Sequence, residues 1–377
     1  MPLLGASRSR DNDLVLGLVA ALVCQVLQAT PTAAPEPAAR ANPPARRRAT
    51  IAAVGDVMFG RYKIDDEGER TYRATVRGDA FPGVAPLLRD ADLAFANVET
   101  PIMYEPATFF RVHQSLTFRA DPARAGELAR AGFDVISLAN NHVHNLGGGG
   151  AAESRVHLEQ AGIAVAGAGA DVEQAFQPVL RREGGLKIAF LAYTLWHNAL
   201  SPVTPEGVVA HISVGDLLHR VPDAVRAARA ELGADFVVVS VHWGTEFEAH
   251  PGPSQIEAAH LLVDAGADLV LGHHPHVLQD IERYHGGVIA YSLGNFVFDE
   301  GFLSRRQTMI LHATLDGTGT LRRVTDVSIT PVIIGHIDHV PRPASGPDRD
   351  ALLKKLRELA PGIPVRAAPG SGLRASR

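Results

Sequence analysis

Cysteine is almost absent from the 377 residues: Cys24 is the only one, and it lies in an apolar N-terminal run. No disulfide framework is possible, and no thiolate metal site, so any metal must be held by His, Asp, Glu or Asn. Charged residues make up only 20% and aromatics 6%, against 46% hydrophobic. The net charge is −5, and no long basic run occurs outside the N-terminal region. A nucleic-acid partner needs a clustered basic face, so none is expected. Neither GxxxxGK[ST] nor GxGxxG occurs, and the run Gly147–Gly150 reads as a tight turn, not a phosphate cradle. No internal repeat is evident.

What is present begins with Arg8 and Arg10, an apolar run from Leu14 to Leu27, and Pro/Ala-rich sequence to about Ala45. Residues 1–30 therefore resemble a secretory signal peptide, or an uncleaved N-terminal anchor, and the protein is expected to be exported. Residues 31–48 read as a disordered Pro/Ala/Arg linker. From 49 to 335, strands first alternate with helices and then follow one another. That order predicts a layered α/β sandwich, not a closed barrel. Asp65–Asp79 reads as a polar surface loop. Residues 336–377 read as an extension with one short helix, Asp348–Leu359, and a disordered tail.

Chemistry gathers at predicted strand ends. Asp56 ends Thr50–Gly55, Glu99 follows Asp92–Ala96, and Asn141-His142 follow Asp134–Leu138. His242 ends Phe236–Val241, and His273-His274-Pro275-His276 follow Asp268–Leu271. Open α/β sheets place ligands at the carboxyl ends of their strands. Each residue alone has a bland reading. Asp56 suits a turn, Met58 and Trp243 suit packing, and His113, His157, His219, His260, His312, His336 and His339 suit ordinary surface roles. Together, Asp56, Glu99, Asn141, His142, His242, His274 and His276 would meet at one rim. Repulsion and desolvation there would be relieved by one or two cations.

These residues lie in motifs: Val54-Gly55-Asp56-Val57-Met58 with Gly60-Arg61; Asn97-Val98-Glu99; Ala139-Asn140-Asn141-His142; His242-Trp243-Gly244 with Glu246; His274-Pro275-His276-Val277; and Tyr291-Ser292-Leu293-Gly294-Asn295-Phe296. In this order they resemble the CapA family of capsule and poly-γ-glutamate synthesis proteins, which is similar in fold to the calcineurin-like metallophosphatases. The resemblance covers about residues 50–335. It implies a four-layer α-β-β-α sandwich of the metallophosphatase type with a dinuclear site. Asp56 and His276 would hold the first metal, Glu99 would bridge, and Asn141, His242 and His274 would hold the second. His142 would be the general acid, and Arg61, Glu246 and Asn295 would line the substrate side. Two positions depart from the pattern. Met58 stands where a second ligand to the first metal is usual. Asn145 stands where an Asp usually follows the histidine of the Asn-Asn-His motif.

The resemblance implies an exported metal-dependent hydrolase or transferase acting in capsule or poly-γ-glutamate metabolism. Its substrate would be a cell-envelope polymer or a phosphoester, and its cofactor one or two divalent ions, with Mn, Fe or Zn suiting the mixed N/O donors. Two other readings stand beside it. One is a non-catalytic accessory component that binds polymer or a membrane-bound polymer synthase. The other is amide-bond chemistry on a γ-glutamyl chain.

Overall fold

The structure, a computed structural model, describes residues 47–64, 70–105, 116–198, 208–318 and 322–366. The expected signal peptide or anchor, all but the last two residues of the linker, and the tail from 367 lie outside the described residues. Among the described residues, no helix is long and apolar enough to cross a membrane.

Strands buried on both faces determine the architecture. In Arg48–Val57, Ile51 and Ala53 enter one apolar cluster, and Ala52 and Val54 enter another on the opposite face. Phe236–His242 does the same: Phe236 and Val238 point one way, Val237, Val239 and Val241 the other. A strand without polar alternation needs cover on both sides. Here one side is a second sheet and the other is helix.

The first sheet runs, edge to edge, Pro341–Pro343, Arg323–Ile334, Gln307–Asp316, Arg48–Val57, Leu93–Val98, Val135–Ser137 and Ala164–Ala166; Asn295–Val297 pairs with the end of Arg48–Val57. The second runs Ile281–Tyr284, Gly287–Ala290, Leu269–His273, Phe236–His242, Leu186–Thr194 and Val179–Glu183. In the first sheet the four strands from Arg48–Val57 to the Ala164–Ala166 edge are parallel, and in the second the four central strands are. Between the sheets, Ile51, Phe95 and Leu311 share a core with Ile188, Phe190 and Val238, and Phe95 stacks on Phe190 at 6.1 Å. Ala85–Arg89, Ala123–Ala131 and Gly148–Gln160 cover the first sheet with Leu88, Leu128 and Leu158. Val214–Ala230 and Pro253–Asp264 cover the second with Leu217, Val225 and Leu262. The protein is an α-β-β-α sandwich, as the resemblance implies. Beyond residue 335, helix Gly346–Leu359 adds Leu352, Leu356 and Leu359 to the core between the sheets.

Two local expectations change. The supposed loop over Asp65–Asp79 contains a strand: Arg70–Ala74 pairs antiparallel with Gly60–Ile64. Arg61, Lys63, Arg70 and Arg73 hide the hairpin, because these charges outnumber its tyrosines, Tyr62 and Tyr72. The glycine run does turn, with Gly147 at φ 90°, but Gly148 already begins the helix.

The ends of Arg48–Val57 and Asn295–Val297 approach very closely. A Cβ on Gly55 would lie 1.9 Å from the Gly294 carbonyl oxygen, which accepts from the Asp56 N–H at 2.9 Å. Only glycine allows this approach, and it fixes Asp56 beside Asn295. Gly55→Ala is expected to destabilise the protein by roughly 1–3 kcal/mol by overpacking, read from the midpoint of urea unfolding. An unchanged midpoint would show that the contact yields freely.

Candidate metal centre

The carboxyl ends of the two sheets meet, and the sequence-predicted ligands meet with them. Asp56, Glu99, Asn141, His142, His242, His274 and His276 are all buried. Asp56 is held from both sheets. Its Oδ1 accepts from Asn97 Nδ2 at 2.8 Å and lies 3.0 Å from His273 Nδ1, which must carry the proton. Its Oδ2 accepts from the His274 N–H at 3.2 Å and lies 3.6 Å from His276 Nδ1. Two side-chain donors thus occupy Oδ1, and Oδ2 faces the histidine loop. Burial alone would raise the Asp56 pKa, but hydrogen bonding and charge from His273, with His276 and Asn97, hold it below the ordinary value.

Glu99 is the opposite case. It is fully buried, and among the described residues neither carboxylate oxygen has a hydrogen-bond partner. Around its Oε1 stand His242 Nε2 at 3.5 Å, and His142 Nε2 and His276 Nε2 each at 3.9 Å. Burial, then the charges of Asp56 and Glu246, push its pKa well above the ordinary range.

His242 Nε2 is a second focus, 2.9 Å from Asn141 Oδ1 and 3.2 Å from His274 Nδ1. Burial and the neighbouring imidazoles, His274 first, hold His242 well below its usual pKa. Burial, then His276, lowers His274 to about 3. These two imidazoles are neutral at neutral pH, the form that binds metals. Donor atoms of Asp56, Glu99 and His276 form one compact group, and those of Glu99, His242 and His274 a second. The two share Glu99. A buried carboxylate with no donor among the described residues, beside neutral imidazoles, fits one or two divalent cations.

The histidine loop takes this shape at a conformational cost. His274 has φ 95° and His276 φ 58°, and Phe247, beside His276 at 6.2 Å, has φ 68°. Side chains rarely occupy that region, and such strain collects at functional sites. Trp243 supports the loop from behind: it is fully buried, and its indole N–H donates to the Tyr291 carbonyl at 2.9 Å.

His142 stacks on Phe118 at 3.9 Å. Asn145 Oδ1 accepts from the Phe118 N–H at 2.9 Å and lies 2.8 Å from His142 Nδ1. Nδ1 therefore carries the proton, and a bare Nε2 faces Glu99. Burial lowers His142 to about 3, opposed by the Asn145 hydrogen bond. In the resting chain it accepts a proton before it can give one.

The substrate-side trio separates. Arg61 pairs with Asp299 and lies 5.1 Å from the Phe118 ring centroid. Glu246 is exposed and forms a third potential ligand group with His274 and His276. Asn295 is fully buried behind His276: its Oδ1 is 2.8 Å from His276 Nδ1, and its Nδ2 donates to the His276 and Arg305 carbonyls. Met58 is buried against Phe118 and Phe298, and its sulfur accepts from the Thr75 hydroxyl at 3.1 Å. Sequence reasoning missed the connecting residues. Asn140 donates to Asn97 Oδ1 and the Val98 carbonyl while its own oxygen accepts from the His142 and Val143 N–H groups. Asn97, Asn140 and His273 all lie in or beside the quoted motifs, the one available signal for them.

Fold and site together define a four-layer α/β protein with a candidate two-centre metal site built from carboxylates, an asparagine and histidines. Residues 50–300 match the bacterial capsule synthesis protein PGA_cap family, and the chain belongs to that family. It is 32% identical over 275 residues to the capsule biosynthesis protein CapA of Bacillus anthracis, covering 72% of this chain and 65% of that protein. It is 31% identical over 311 residues to the PGA biosynthesis protein CapA of Bacillus subtilis (strain 168), covering 81% and 76%. Among solved structures it is similar to the sulfate thiohydrolase SoxB of Thermus thermophilus, at 16% identity and TM-score 0.45, over 82% of this chain and 60% of that one.

Two outcomes follow from the electrostatics. Burial and the neighbouring acids favour the protonated form of Glu99 without metal, whereas ligation needs the carboxylate. Metal uptake at neutral pH should therefore release a proton, seen in weakly buffered titration and lost in Glu99→Gln. Uptake with no proton release would show that Glu99 is already ionised. Asn145→Asp would set a carboxylate against His142 Nδ1 and raise the His142 pKa. NMR titration of its ring protons should show protonation at higher pH than in the parent; an unchanged titration would refute the coupling.

Proposed function

We propose that this chain is an exported metal-dependent hydrolase or transferase acting in capsule or poly-γ-glutamate synthesis, with phosphoesterase-like chemistry. The polymer comes from its relatives, named for capsule and PGA biosynthesis. One observation carries the chemistry: a fully buried carboxylate, Glu99, without a hydrogen-bond donor and shared by two groups of ligand atoms. Asp56, Glu99 and His276 would hold one ion, and Glu99, Asn141, His242 and His274 the other. Bound there, such ions supply Lewis acidity and an activated water.

The chain's own residues supply the rest. His142 Nε2 accepts a proton within the centre and returns it to a leaving oxygen, and Asn145 fixes its tautomer. An anionic substrate beside it would raise its pKa from about 3 toward the working range. Arg61, stacked near Phe118 on the His142 side, faces negative charge on the substrate.

A second reading has its own support. Met58 occupies a ligand position with a thioether that is buried and already bonded to Thr75. The first centre then has three protein ligands, and a polymer-binding accessory role becomes a real alternative. A relative in Mycobacterium tuberculosis, 30% identical over 246 residues, is named a probable polyglutamine synthesis accessory protein.

Metal content and turnover of phosphoester and γ-glutamyl substrates separate the two. The catalytic reading expects about two equivalents of metal, a loss of metal in His274→Ala, and a fall in turnover of about a hundredfold or more in His142→Ala with metal retained. Full activity in both variants would overturn it. Metal-free protein that still supports polymer synthesis would establish the accessory role.

A further inference from the structure

The Gly60–Ile64/Arg70–Ala74 hairpin carries a row of cations. Arg61 pairs with Arg73 and Lys63 with Thr71, so alternation sets all four on one face. Tyr62 and Tyr72 take the other face, their rings 5.5 Å apart. Lys63, Thr71 and Arg73, with Arg77 and His339, line a cavity of about 1060 Å³. Two acids also line it, and each is already engaged: Asp299 with Arg61 and Asp338 with Arg342. Lys63, Arg73 and Arg77 are exposed, and among the described residues none of the three makes an ion pair. The chain as a whole carries −5, so this local excess of positive charge runs against its balance. Asp65 to Glu69, which link the two strands, include four acids and lie outside the described residues.

The wall of the cavity is linked to the metal centre by packed side chains. Asp299 in its wall pairs with Arg61, Arg61 lies over Phe118, and Phe118 stacks on His142. Three like charges around one space repel one another, and an anion with several charges relieves that repulsion. The volume is at the upper end of the ~300–1,000 Å³ usual for small-ligand sites. It suits a stretch of chain better than a single small anion.

We propose that this cavity is a subsite for an acidic polymer, in which Lys63, Arg73 and Arg77 take successive carboxylates and lead the chain past Arg61 toward His142. The choice of a polycarboxylate over other polyanions rests on the polymer reading given above. Binding of this kind is long-ranged and weakened by salt.

The test is fluorescence anisotropy of a labelled γ-glutamate oligomer with the full chain, in chelator, so that metal chemistry plays no part. The parent should bind, more weakly as salt rises. Lys63→Gln/Arg73→Gln/Arg77→Gln should weaken binding about tenfold and flatten the salt dependence. Because all three side chains are exposed, its thermal midpoint should match the parent. His274→Ala should bind like the parent, so a failed metal centre leaves this result intact. Equal binding by parent and triple variant, or no binding by the parent, would overturn the proposal. Capture of polyphosphate but not of the γ-glutamate oligomer would overturn the polycarboxylate assignment.

Discussion

A carboxylate wholly removed from water and given no hydrogen-bond donor is the constraint around which this structure is arranged. Ionised and alone, Glu99 would cost several kcal/mol. The fold surrounds it with imidazole nitrogens at 3.5–3.9 Å. Their own protonation is suppressed at His142, His242 and His274 by the same burial. Burial thus disfavours charge on Glu99 and on three of the site's imidazoles, while Asp56 keeps its charge through its donors. Once a cation displaces the Glu99 proton, the carboxylates of Asp56 and Glu99 together balance one divalent charge.

The sandwich is what makes such a site possible. Each sheet delivers its strand ends to the same rim, and Asp56 is held by donors from both. Asn97 reaches it from the neighbouring strand of its own sheet, and His273 from across the interface. Asn140 continues the network into the loop that carries Asn141 and His142. A chain of neutral amides and one protonated ring nitrogen fixes the orientation of the ligands without adding net charge. Asn145 continues this economy of charge at His142, where a carboxylate would favour the imidazolium.

Much of this was legible in the sequence. β-branched runs ending in Asp, Glu, Asn or His located the parallel strands and the rim, because a strand buried on both faces has few other ways to read. The short Ala-rich strand Ala164–Ala166 escaped because it shows no two-residue hydrophobic period, and the hairpin beginning at Gly60 because charged residues outnumber the tyrosines that alternate with them. Asn97, Asn140 and His273 escaped for another reason. Their work is to hold ligands, and nothing in composition or spacing separates such a residue from an ordinary turn former. Asn295 shows the same limit: its motif suggested a place facing substrate, yet every polar atom of its side chain is spent behind His276.

The contact between Asp56 and His273 joins positions 217 residues apart. No fragment that stops short of His276 contains both candidate centres, and long-range closure of this kind comes late in folding. A chain that stops before His276 would therefore lack a ligand of the first centre. The metal would be drawn from whichever compartment the chain finishes folding in, so the choice of ion would belong as much to that place as to the donor atoms.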